Sequence, residues 1–121
     1  LQANYDYYYD DDYVPVDVSW KSRGWAWTTS SHGKKWNFVE LTSRQSLHNE
    51  GVAMQHCVGG YSMSCVDGDS VIVSLLRDGQ RIATIEVDPR SKHLVQLSGK
   101  FNAEPGKAVQ SVTNAWLEQI Y

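Results

Sequence analysis

The stretch from Val71 to Asp88 constrains this chain more than any other. Val71 to Arg77 is an apolar, β-rich run, Asp78-Gly79 follows, and Gln80 to Asp88 repeats the pattern. Asp-Gly between two such runs favours a two-residue type I′ turn, because both turn positions need φ > 0 and the twist then matches the flanking strands. Pro89-Arg90-Ser91 turns the chain again, and His93 to Ser98 reads as a further strand. The result is an antiparallel meander over about residues 70–98.

A two-residue turn carried forward without interruption sets the register. It places Arg77 opposite Gln80, Leu75 opposite Ile82, Val73 opposite Thr84 and Val71 opposite Glu86. Side chains alternate along a strand, so Ala83, Ile85 and Val87 share one face. Ile82, Thr84 and Glu86 share the other, with Val71, Val73 and Leu75. If Val87 lies opposite Val95, Glu86 meets Gln96 and Thr84 meets Ser98. A polar strip of Thr84, Glu86, Gln96 and Ser98 then crosses a sheet face that must be covered or hydrated, because a buried carboxylate without partners is costly.

The cover is expected from Glu50-Gly51-Val52-Ala53-Met54-Gln55-His56-Cys57-Val58-Gly59-Gly60-Tyr61, which gathers a carboxylate, an imidazole, a thiol and a phenol. Thr42 or Ser43 suits an N-cap, Thr42 to Gln45 fits a capping box, and a helix from about Ser43 to Val58 would stop at Gly59-Gly60. Gly51 within it costs about 1 kcal/mol relative to Ala, so it marks a close backbone approach or a break. On a continuous helix Glu50, Met54, Cys57 and Tyr61 share one face. His56 and Cys57 are then about 100° apart, which disfavours a direct dyad. His56 would instead meet Glu86, whose carboxylate would orient the ring. Candidate catalytic groups are therefore His56, Cys57 and Glu86. Candidate substrate-binding groups are Glu50, Tyr61, Thr84, Gln96 and Asn102.

Upstream, Val16–Trp20, Trp25–Thr29 and Trp36–Leu41 read as short aromatic-rich strands, with Ser30-Ser31-His32-Gly33 as a turn. Pro105-Gly106 opens a last helix to about Ile120, with Ala108, Val112, Ala115, Trp116 and Gln119 on one face and Val109 and Ile120 flanking. The chain is α+β, a meander packed with two helices and preceded by small strands. Residues 1–14 form an acidic Tyr/Asp-rich arm, and 15–121 a single domain.

Composition narrows the function classes. A net charge of −3 argues against coating nucleic acid through bulk phosphate neutralisation. No apolar run is long enough to span a membrane. The two cysteines read as free thiols of a reducing, cytoplasmic compartment. His48, His56, Cys57 and Cys65 have no zinc-motif spacing, so no metal or other cofactor is expected.

Leu41-Thr42-Ser43, Leu47, Glu50-Gly51, Met54, His56-Cys57-Val58-Gly59 and Tyr61 resemble the signature of the PcfJ-like family. So do Ile72, Ser74, the Arg81–Glu86 strand, Gln96, Gly99 and Asn102. The resemblance runs from about Trp36 to Trp116 and leaves the Tyr/Asp arm outside. It implies a domain of a larger chain carried by conjugative plasmids, phages and other mobile elements. That setting points to hydrolysis or group transfer on a nucleotide or nucleic acid. The alternative is a non-catalytic module that binds a protein or single-stranded nucleic acid, using the arm or a Trp-rich surface, with the polar cluster as structural glue.

Overall fold

The computed structural model describes residues 17–121, so the arm lies outside the described residues. One antiparallel sheet of five strands, in chain order, forms the centre. The strands are β1 (Trp27–Ser31), β2 (Lys34–Leu41), β3 (Val71–Arg77), β4 (Gln80–Val87) and β5 (Leu94–Ser98). The turns behave as their residues dictate: Asp78 and Gly79 take φ of 49° and 84°, and His32 and Gly33 take 55° and 71°. Of the expected first strand, Val16 lies outside the described residues, and the rest forms one isolated bridge, Ser19 to Ser43.

Helices cover both faces. α3 (Lys107–Ile120) packs Val109, Val112, Trp116 and Ile120 on a wholly apolar face built from Trp36, Phe38, Val73, Leu75, Ala83 and Ile85. Phe38 stacks on Trp116 with centroids 5.0 Å apart, and the indole N–H of Trp116 donates to the Trp25 carbonyl at 2.7 Å. Gln119, expected on this face, is exposed. α1 (Arg44–Met54) and the short α2 (Ser62–Val66) cover the other face, where Leu41, Leu47, Val58, Cys65 and Ile72 form a smaller cluster.

The cap of α1 is Ser43, whose hydroxyl accepts from Ser46 N–H at 3.0 Å while Ser46 Oγ accepts from Ser43 N–H at 3.1 Å. The capping box is thus one residue later than the Thr42–Gln45 pairing. The helix does not continue to Val58. It ends at Met54, Gln55 takes the left-handed conformation with φ 55°, and a 3-10 turn spans Val58–Tyr61. Gly51 explains the break. His56 N–H donates back to the Gly51 carbonyl at 3.2 Å, and the His56 carbonyl lies 3.1 Å from where a Cβ on Gly51 would sit. A Cβ at this position would press on that carbonyl and push it back by a few tenths of an ångström.

The meander register departs from the uninterrupted reading. Arg77 pairs with Gln80 and Leu76 with Arg81, but Leu75 pairs with Ala83, Val73 with Ile85 and Val71 with Val87. A bulge at Ile82 adds one residue to β4, and the phase of every later side chain inverts relative to β3. Val71, Val73 and Leu75 therefore join Ala83, Ile85 and Val87 under α3, while Thr84 and Glu86 face α1 with Ser74 and Ile72. The driving force is burial: the shifted register puts both apolar sets in one core. Between β4 and β5 the expected pairs Glu86–Gln96 and Thr84–Ser98 form, although Val87 meets Leu94 rather than Val95.

Candidate functional site

Under α1 the sheet carries a continuous polar chain. Glu50 and Thr84 are both 0% exposed. Thr84 Oγ1 donates to Glu50 Oε2 at 2.6 Å, and His56 Nε2 lies 2.8 Å from the same hydroxyl. Val58 N–H donates to His56 Nδ1 at 3.4 Å, so Nδ1 carries no proton. The imidazole proton therefore sits on Nε2 and is donated to Thr84 Oγ1, leaving the hydroxyl hydrogen for Glu50. Burial of the ring pushes the His56 pKa down to about 4, so the imidazole is neutral at neutral pH. The other oxygen of Glu50, Oε1, lies 3.0 Å from Arg81 Nε. That contact is an ion pair without hydrogen-bond alignment, since Oε1 has no hydrogen-bond partner by geometry.

The bulge makes this arrangement possible. In a regular strand, residues three apart point to opposite faces. With Ile82 inserted, Arg81 and Thr84 both point towards α1, and Glu50 reaches one with each oxygen. Arg81 is the member that the residue pattern did not single out. The available signal was the mismatch between two apolar triplets, which a one-residue shift reconciles.

The other sequence-derived candidates scatter around this chain. Glu86 does not meet His56. It accepts from Ser70 Oγ at 3.1 Å. Its charge also adds to the burial that raises the Cys65 thiol to about 12. Gln96 is its half-buried cross-strand neighbour. Cys57 is exposed at the start of the 3-10 turn, since α1 ends before it, and so it shares no helix face with Glu50. Tyr61 packs against the Leu41–Ile72 cluster. Asn102 is half-buried with φ 59°, in a short turn beside α1. Both cysteines are free thiols, and among the described residues no three His, Cys, Asp or Glu side chains converge to hold a metal ion.

α1 is too short to cover its whole sheet face. Beyond Ala53 a cavity of about 530 Å³ opens over Val39, Leu41, Ser74 and Leu76, with Arg81 and the β3–β4 turn at one end. Ser74 is 2% exposed, and its Oγ has no hydrogen-bond partner. A buried hydroxyl left unpaired costs about 1–3 kcal/mol. Of the five tryptophans, Trp36 and Trp116 are buried and Trp20, Trp25 and Trp27 half-buried. Among the described residues, no helix is long and apolar enough to cross a membrane.

Comparison with known proteins agrees with the motif. The family described as PcfJ-like protein matches residues 27–112. An uncharacterized protein of Listeria innocua, Lin1253/Lin1744, is 31% identical over 90 residues, which cover 69% of this chain and 20% of that protein. The matched segment is thus about a fifth of the relative's length. No solved structure matches.

Proposed function

The chain belongs to the PcfJ-like family, and from that premise we propose that this domain is a non-catalytic recognition module whose polar cluster is internal scaffolding. The observation that carries this reading is the engagement of Thr84: its hydroxyl donates to Glu50 and accepts from His56, and both Thr84 and Glu50 are fully buried. A general base works best with a pKa near the operating pH. His56 at about 4 is far below it, and its second nitrogen faces a backbone N–H. Cys57 has neither His56 nor Glu86 as a hydrogen-bonding partner, and Cys65 is buried and protonated. Hydrolysis or group transfer on a nucleotide by a His/Cys/Glu centre therefore has less geometric support than recognition. Scaffolding is what the chain does well: it pins the fold-back after α1 to the middle of the sheet.

The test is turnover measured beside stability. Nucleoside triphosphates and short oligonucleotides are incubated with wild type, His56→Gln and Glu86→Gln, and product is assayed. Recognition predicts product at the buffer-blank level for all three proteins and a lower melting temperature for both variants. Product formed by wild type and abolished by His56→Gln would overturn it.

A further inference from the structure

We propose that the cavity between Ala53 of α1 and the β2–β3–β4 face is a binding site for a small apolar monocarboxylate. The inference rests on the recognition reading and supplies its ligand class. Its volume, about 530 Å³, falls in the range of small-molecule sites. Val39, Leu41, Ala53 and Leu76 give it apolar walls, which suit a hydrocarbon body. Three polar side chains line it, Ser74, Gln80 and Arg81. Ser74 lies in the cavity lining with an unpartnered, buried hydroxyl. Arg81 brings the single charge among the lining residues, and it is a cation.

The guanidinium is preorganised for such a ligand. Its Nε lies 3.0 Å from Glu50 Oε1 without a hydrogen bond between them, so the N–H groups of a planar fork are not spent on Glu50 and remain for a second carboxylate. The charge balance selects among anions. Arg81 is already paired with Glu50 and is the single cation of the lining, so a monoanion that shares the guanidinium is tolerated better than a phosphate dianion, whose second charge would meet the Glu50 carboxylate unopposed. No acidic side chain lines the cavity, which disfavours amines.

The experiment is a chemical-shift titration of the full chain with sodium octanoate, octanamide and inorganic phosphate. Octanoate is expected to shift the resonances of Ala53, Ser74 and Leu76. Octanamide is expected to bind at least tenfold more weakly, and phosphate to leave these resonances in place. Val39 is 38% exposed at the cavity wall and is bonded to none of Glu50, Thr84 and His56, so Val39→Trp fills the space and leaves those three side chains in place. This variant should keep the wild-type melting temperature and lose octanoate binding by at least tenfold. Unmoved cavity resonances at millimolar octanoate, equal binding of octanamide, or undiminished binding by Val39→Trp would each overturn the site. Those results would leave the non-catalytic reading standing, because that reading fails on turnover.

Discussion

Thr84→Val is the sharpest perturbation of this fold. Valine matches threonine in shape, so the packing between α1 and β4 is retained while a single oxygen is lost. Two groups lose a partner: Glu50 Oε2, fully buried at 2.6 Å, and His56 Nε2 at 2.8 Å. A hydrogen bond to a buried charged group is worth about 1.5–3 kcal/mol. The His56 ring is half-exposed and recovers part of its loss from water, adding up to about 1 kcal/mol. The expected destabilisation is therefore about 1.5–4 kcal/mol, which lowers the melting temperature by roughly 6–20 °C for a domain of this size. Urea unfolding followed by the fluorescence of buried Trp36 and Trp116 measures it. Thr84→Ser is the control, since it keeps the oxygen, loses one methyl and should cost only about 1 kcal/mol. If Thr84→Val lies within about 0.5 kcal/mol of wild type, or Thr84→Ser costs as much, the buried chain does not hold the motif to the sheet.

Gly51→Ala gains about 1 kcal/mol of helix propensity, yet its Cβ meets the His56 carbonyl at 3.1 Å. That carbonyl belongs to backbone pinned by the His56–Thr84 contact, so equilibrium unfolding should show a net loss of about 1 kcal/mol. His56 gives a pH dependence of definite sign. Its folded pKa of about 4 lies below the ordinary 6.5, so the unfolded chain takes up the proton first. Stability from this group is full above about pH 6.5 and is lost as pH falls towards 4. After discounting for the half-exposed ring, the loss is about 1–2 kcal/mol. It appears as the difference in acid sensitivity between wild type and His56→Gln in urea titrations. The thiols should separate cleanly at pH 8. A disulfide reagent modifies exposed Cys57 in the native protein, whereas Cys65, buried with its thiol raised to about 12, reacts only on unfolding.

The legible parts of this fold were those written in local chemistry. Asp78-Gly79 gave its hairpin, Pro105-Gly106 opened its helix, and two of the three aromatic-rich segments became β1 and β2, with Trp36 and Phe38 in the core. The Glu86–Gln96 and Thr84–Ser98 pairs followed from alternation. Less legible were features decided between distant segments. The bulge at Ile82 is fixed by how two apolar triplets meet α3, which the turn alone does not encode. The end of α1 at Met54 depends on a carbonyl passing over Gly51, and Gly59-Gly60 offered a more familiar stop. The second misreading propagated into the site by putting Cys57 on the face of Glu50, whereas the His56–Glu86 pairing missed by one position along a single face, since His56 meets Thr84. Glu50, His56 and Thr84 were nonetheless found among the candidates, because charged and polar residues within apolar surroundings need partners wherever the register falls.

The bulge also decides which length changes β4 can survive. Deleting the bulged Ile82 would leave Leu76 opposite Arg81 and Leu75 opposite Ala83 in an unbroken ladder, so Thr84 and Glu86 would stay on the side of Ser74 and Ile72. Deleting two residues between Gln80 and Ala83 would bring Ala83 opposite Leu76, carry Thr84 and Glu86 into the stacked aromatics beneath α3 and turn Ile85 and Val87 towards Glu50. This hairpin can thus lose its one extra residue and no more. The odd interval from Arg81 to Thr84 is the written trace of that residue. In a related chain, an arginine three residues before the strand threonine would signal that both point to the same buried glutamate.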